Sequence, residues 1–189
     1  IKRLALHEVG HTLGLNHNFK GSYLHNNQDV HNPEITGKVG VTASVMEYPA
    51  INLAPLGVEQ GDYYDTIPGP YDIWAIKYGY TPNLSEDELA AIIAEEIKAE
   101  HMFANDSEDM RAPGRGIDPR AMINDLTNDP ITYAINRIEL LNHTQDNIVP
   151  RLADRVETFE EYRLALSVFM REYSSCLLYT SDAADESVR

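Results

Sequence analysis

The sequence predicts a mainly α chain, and three observations predict it. The opening stretch, IKRLALHEVGHTLGL, lacks proline and is built mostly from residues that tolerate helix. Two capping boxes, Ser85 with Glu88 and Thr158 with Glu161, each lead into apolar residues at helical spacing. The pair Asp129-Pro130 opens a further helix, with Ile131, Ile135 and Ile138 along one side.

Along the chain, each segment has its own reason. In the first helix His7 and His11 lie one turn apart on a face shared with Leu4 and Gly14. Leu6, Val9 and Leu13 gather on the opposite face, so the helix is expected to be buried on both sides. Residues 18–45 read as loop with one short helix, and His25 and His31 within it read as surface histidines. Residues 49–68, rich in Pro, Gly and Asp, read as loop. GPYDIWAIKYGY, residues 69–80, reads as a helix started by Pro70 and ended at Gly79. Asp72 there reads as a cap or a buried hydrogen-bond acceptor. After Ser85 the residues Leu89, Ile92, Ile93 and Ile97 make one apolar stripe. Residues 103–120 read as loop. Phe159, Tyr162, Leu166, Phe169, Met170 and Tyr173 follow the second capping box at helical spacing and read as core. No internal repeat is found.

The polar residues of the first helix carry the chemistry. Two histidines at i and i+4 can each point a ring nitrogen at one ion about 2.0–2.1 Å away, the distance that suits Zn2+. A buried imidazole pair needs such a partner, because an unsatisfied buried polar group costs roughly 1–3 kcal/mol. Glu8 is turned off the ligand axis yet stays close enough to reach a metal-activated water, as a general base would. A catalytic zinc takes three protein ligands and keeps one position open. His17 is the expected third ligand. Gly14 explains how it arrives, since glycine can adopt φ > 0, end the helix and turn the chain back.

HEVGHTLGLNH, residues 7–17, matches the HExxHxxGxxH signature, and on it the chain resembles the metzincin zinc metallopeptidases. SVMEY at residues 44–48 fits the methionine turn of that family. The resemblance implies that Met46 forms an apolar floor under the three imidazoles without binding the metal. It implies for Tyr48 a place at the zinc or a role in oxyanion stabilisation; the other reading of Tyr48 is a packed tyrosine with a local hydrogen bond. Residues 69–80 resemble the helix that closes such a catalytic domain. HNFKGS after the third histidine and NLAPLGVEQGDYYD after the turn resemble a bacterial group of metzincin-like metalloproteases of unknown function.

The fold expected is therefore the C-terminal part of a metzincin-like catalytic domain over residues 1–80, followed by a helical extension over 81–174. The twisted sheet that precedes this helix in metzincins is not in the sequence, so the chain reads as a fragment starting in the active-site helix. SSCLLYTSDAADESVR, residues 174–189, breaks the helical pattern and resembles translated adapter sequence; residues 175–189 are read as a non-native tail. The one cysteine, Cys176, lies there, so no disulfide is expected to hold the rest together.

Composition narrows the partners. Fifteen Lys and Arg against thirty Asp and Glu give a formal charge of −15. That argues against nucleic acid or an anionic membrane, whose phosphates need basic residues. The acids between residues 86 and 109 read as a solvated helix face. No membrane-spanning run is present. The expected function is zinc-dependent hydrolysis of peptide bonds in a peptide or protein substrate, with Glu8 as general base; the alternative is a metal-bearing module that binds peptides or partners without cutting them. Residues 49–54 are expected to line part of the cleft beyond the scissile bond. A location outside the cytoplasm is implied by the family resemblance alone.

Overall fold

The computed structural model describes residues 1–108, 118–153 and 155–186, except the side chains of 146 and 177–186. Among the described residues all regular structure is helical, as expected. Six α-helices follow in chain order: α1 (Lys2–Thr12), α2 (Pro33–Val39), α3 (Pro70–Tyr80), α4 (Glu86–Ala94), α5 (Pro130–Ala153) and α6 (Phe159–Glu186). Their contacts divide the chain into two compact units. One comprises Ile1–Ala54 with Glu59–Asp129, the other Pro55–Val58 with Pro130–Arg189. The helical stretch expected from residue 81 is thus shared between both units.

In the first unit α2 and α4 start where a side chain supplies an acceptor. Asn32 caps α2 by accepting the Glu34 N–H at 3.0 Å, with Pro33 at the first helical position. Ser85 and Glu88 cap α4 reciprocally, as expected. Between helices the chain is irregular but stitched together. Phe19, Ala104 and Ala121 form a small buried cluster, with Ile123 against it. Phe19 N–H donates to the Ala104 carbonyl at 2.8 Å, and Met122 N–H donates to the Phe19 carbonyl at 3.3 Å. Thr127 and Asn128 N–H donate to the Ser22 and His25 carbonyls. Asn124 N–H reaches the Tyr48 carbonyl, and Ala50 N–H the Asp125 carbonyl. Residues 18–25, 46–50, 102–104 and 121–128 therefore lie side by side without forming a regular ladder. Of the loop expected over 103–120, residues 109–117 lie outside the described residues; 103–108 and 118–120 contain no helix or strand.

Three expectations fail here. Helix α1 is not buried on both sides: His7 and Gly10 are buried, whereas on the opposite face Val9 and Leu13 are exposed and Leu6 is only half-buried. His25 and His31 are interior, not surface, histidines. The loop folds back so that the His25 Nε2–H donates to the Gly40 carbonyl at 2.8 Å. His31 closes a 3-10 turn before α2, and burial lowers its pKa, which keeps it neutral inside. Finally, only Ile92 of the α4 stripe is fully buried, because the α-helix ends at Ala94 and Ile97 lies on an exposed 3-10 turn.

The second unit is a helical hairpin. The α6 capping box forms, with Thr158 N–H donating to Glu161 and Glu161 N–H to Thr158 Oγ1. On α5 the buried residues are Tyr133, Ala134, Arg137 and Leu141, and the Arg137 guanidinium pairs with Glu172 of α6. Ile131 and Ile135, expected inside, are exposed. They stand two residues from Tyr133, which is about 200° of helix rotation and so the other face. On α6, Tyr162, Leu166, Phe169 and Tyr173 are half-buried; Phe159 and Met170 are exposed. The helix runs on through the buried Cys176 to Glu186, where the sequence pattern predicts a break. Residues 187–189 of the expected tail lie outside the described residues. No helix among the described residues is long and apolar enough to cross a membrane.

Two carboxyls, Glu47 and Asp125, sit fully buried near one another in the first unit. Glu47 accepts from the Ser22 and Tyr48 N–H groups, and Asp125 accepts from Ser22 Oγ at 2.8 Å. Asp125 Oδ1 has no hydrogen-bond partner. Burial raises both pKa values, and for Glu47 the neighbouring Asp125 charge raises it further. The folded chain therefore keeps protons that the unfolded chain has released, so this pair's contribution weakens from about pH 4 upward, through the raised folded values. Asp125→Asn keeps an oxygen acceptor for Ser22 and removes one charge. It is expected to raise stability at pH 8 by about 1 kcal/mol or more while leaving stability at pH 4 unchanged. Denaturant melts at the two pH values check this, and equal effects at both would contradict it.

Candidate metal centre

The first helix ends in a way that brings a third histidine to the first two. Gly14 has φ +85°, a conformation that costs a residue with a Cβ. Leu15 N–H donates to the Gly10 carbonyl and Gly14 N–H to the His11 carbonyl, both at 3.0 Å. This is the paired C-terminal closure that a left-handed glycine makes possible. The chain then turns back, and Asn18 N–H fastens to the Met46 carbonyl at 3.2 Å.

The imidazoles of His7, His11 and His17 converge. Ring centroids are 4.8 Å apart for His7–His11, 4.8 Å for His11–His17 and 5.4 Å for His7–His17. One ligand atom from each lies within 4.8 Å of the others. Burial is graded: His7 is buried, His17 half-buried and His11 exposed, so the trio opens to solvent on one side.

Each Nδ1 is already engaged. The His7 Nδ1–H donates to the Val45 carbonyl at 2.7 Å, and the His11 Nδ1–H to the Leu15 carbonyl at 3.0 Å. The His17 Nδ1–H donates to the Asp106 carboxylate, 2.9 Å from Oδ1 and 3.0 Å from Oδ2. Carbonyls only accept, so in His7 and His11 the proton must sit on Nδ1; the same tautomer in His17 satisfies the carboxylate. In the neutral rings the Nε2 lone pairs are then the ones available to a metal. Burial lowers the His7 pKa against the opposing pull of the Val45 carbonyl, with His11, Arg3 and His17 lowering it further. A lowered value keeps that ring neutral at pH 7, the form that binds metal. Three imidazoles with fixed tautomers and one open side are a donor set that fits Zn2+ with an open position.

The turn carrying Met46 meets α1 through the His7–Val45 bond and the packing of Met46 on Gly10. Asp72, at the start of α3, holds it: the carboxylate accepts from Ser44 Oγ at 2.6 Å, Val45 N–H at 2.8 Å and Gly69 N–H at 2.8 Å. The role expected of Asp72, a buried acceptor and cap, is the one observed. Met46 is fully buried, and its Sδ packs against Gly10, so closely that a Cβ on Gly10 would overlap it.

The remaining expected residues flank the trio. Glu8 is exposed beside His7 on α1, and no hydrogen bond or ion pair to the described residues holds its carboxylate. Tyr48 places its hydroxyl 2.9 Å from His17 Nε2, which can accept it when the ring carries its proton on Nδ1. Its ring lies 5.1 Å from that of His7 and 4.7 Å from that of His17. Residues 49–54 leave Tyr48 as irregular chain, anchored by the Ala50–Asp125 bond.

Sequence reasoning missed three contributors. Gly10 had a signal: a glycine inside a helix costs about 1 kcal/mol relative to alanine and so points to close packing. Asn18, fully buried, bonds the Met102 carbonyl and the Ala104 N–H with its side chain. Asp106 approaches His17 from 89 positions away. Neither of these two carries a local pattern that marks it.

A family model described as Met-zincin matches residues 1–182. Neither a curated protein nor a solved structure matches the chain.

The contact between α1 and the methionine turn has a direct test. Alanine at position 10 improves helix propensity by about 1 kcal/mol but overlaps a methionine that is boxed in on all sides; overpacking costs typically about 1–3 kcal/mol. Gly10→Ala is therefore expected to lower Tm, and to cost less in a Met46→Ala background. A thermal melt of the four chains in this cycle checks it. An additive cycle would remove the contact from the explanation.

Proposed function

The chain belongs to the Met-zincin family, and from that premise we propose that it is a zinc-dependent endopeptidase, acting on peptide or protein substrates. His7, His11 and His17 would hold the ion. Bound there, Zn2+ supplies the Lewis acidity that makes water a nucleophile near neutral pH. The observation that carries the proposal is the tautomer pattern: three convergent imidazoles, each with Nδ1 spent on an acceptor, next to a glutamate whose carboxylate no other described residue holds.

The other residues take roles that follow from their positions. Glu8 is free to accept the proton of the attacking water and return it to the leaving amine. A metal site serving structure alone would have no use for such an acid. Tyr48 is a hydroxyl donor at the face where oxyanion charge would develop, and it can hydrogen-bond that charge. His17 Nε2 has one lone pair, so the Tyr48 hydrogen bond and metal ligation exclude each other. An ion held by His17 would leave this hydroxyl free for substrate. Met46 gives the rings an apolar, tightly packed base and contributes no ligand. Location outside the cytoplasm and the role of residues 49–54 as a cleft wall belong to the same proposal and rest on the resemblance.

Two substitutions test it. Glu8→Gln is expected to keep stoichiometric zinc by elemental analysis and to lose turnover of an unstructured protein by at least about a hundredfold, the lower range for a general base. Undiminished turnover removes Glu8 from the mechanism. His11→Ala is expected to lose the metal; full zinc occupancy in that variant contradicts the ligand assignment.

A further inference from the structure

The three ligand rings are not held alike. His7 and His11 donate to main-chain carbonyls, which the fold supplies whatever side chains surround them. His17 alone donates to a side chain, the Asp106 carboxylate, with both oxygens within 3.0 Å of Nδ1. His17 is also the ligand that lies outside α1, beyond the turn at Gly14, so no helix geometry sets its ring.

We propose that Asp106 is a positioning residue for the metal centre: its carboxylate fixes the His17 ring in the Nδ1–H tautomer and aims Nε2 at the ion. This rests on the metal reading of the three histidines. A carboxylate acceptor orients a ligating imidazole and raises its basicity, which strengthens the bond from the opposite nitrogen.

Asp106 is placed for this by structure on both sides of it. Asn18, the residue after His17, binds the Met102 carbonyl at 3.0 Å and the Ala104 N–H at 3.3 Å through its side chain. Phe19 N–H adds its bond to the Ala104 carbonyl at 2.8 Å. The same two residues that follow the ligand thus grip the strand of chain that ends in its acceptor. Behind them His101 stacks on Trp74 at 5.1 Å and Phe103 on Tyr71 at 5.7 Å, anchoring the segment to α3. Beyond Asp106 the Ser107 N–H closes a turn onto Asn105 Oδ1 at 2.9 Å. The result joins two segments 89 residues apart into one ligand shell.

The magnitude separates a positioning role from a stabilising one. The Asp106 side chain is 67% exposed, and an exposed pair of this kind adds little to folding. An acceptor behind a metal-bound histidine is worth about 10–100-fold in metal affinity. Removing it should therefore leave the fold and weaken the metal.

The test uses the full chain with Asp106→Ala and Asp106→Asn. Zinc affinity is measured by competition with a chromophoric chelator, and the His17 tautomer by imidazole 15N shifts in the metal-free protein. Asp106→Ala is expected to lose about 10–100-fold in zinc affinity, with unchanged Tm in the metal-free form and His17 shifts moving away from the Nδ1–H form. Asp106→Asn keeps an oxygen acceptor and is expected to retain the tautomer and recover part of the affinity. Wild-type affinity in Asp106→Ala, or an equal loss in both variants, overturns the proposal. A wild-type chain that binds no zinc overturns the metal reading itself. The tautomer measurement then still decides what Asp106 does to His17: an unchanged ring in Asp106→Ala rejects the positioning role and a changed one upholds it.

Discussion

The site depends on a single turn, residues 43–47, whose polar groups are taken up from every side. Ala43 N–H donates to the Gly21 carbonyl, and its own carbonyl accepts from Tyr71 N–H. Ser44 Oγ and Val45 N–H donate to Asp72. The Val45 carbonyl receives the His7 ring, the Met46 carbonyl receives Asn18 N–H, and the Glu47 carbonyl receives the Arg3 guanidinium. Buried backbone groups must be paired; Ser44 satisfies the Met46 and Glu47 N–H groups within the turn, and with no strand beside it among the described residues the other partners come from elsewhere in the chain. That requirement draws α1, α3 and the segment after His17 onto the same few residues. The three histidine rings inherit their positions from it.

The same constraint explains the unusual number of interior acids. Asp65 accepts from Val41 N–H, Thr42 N–H and Thr42 Oγ1; Asp72 and Glu47 do likewise around the methionine turn. Burial pushes the Asp65 carboxyl up to about 6 in spite of these bonds. Carboxylates here do what neighbouring strands do in a sheet: they accept from loop N–H groups that would otherwise be orphaned. The desolvation penalty is the cost of an irregular backbone packed tightly enough to hold three rings in register.

Much of the centre was legible because helix geometry is local. The i and i+4 histidines, the glycine that ends the helix and the capping boxes at Ser85 and Thr158 follow from spacings of a few residues. Asp72 was legible for the same reason, since an acid in the first turn of a helix is a natural cap. What escaped depends on closure over long stretches of chain. Asp106 meets His17 only because residues 101–104 are pinned behind Asn18, and no local pattern encodes that. His25 and His31 look like loop residues until the loop folds over them. Apolar spacing also misled where a helix has two apolar faces. On α5 the packing chose Tyr133, Arg137 and Leu141 over the isoleucines, and on α1 it chose His7 and Gly10 over Leu4, Val9 and Leu13.

The central claim is that three imidazoles, with Nδ1 turned to protein acceptors, present Nε2 to one ion. X-ray absorption spectroscopy of the zinc-loaded full chain tests it most directly. Three imidazole nitrogens at about 2.0–2.1 Å from zinc, with the outer-shell scattering of histidine rings, is the predicted spectrum. A first shell with two or fewer imidazoles would contradict the arrangement on which the rest stands.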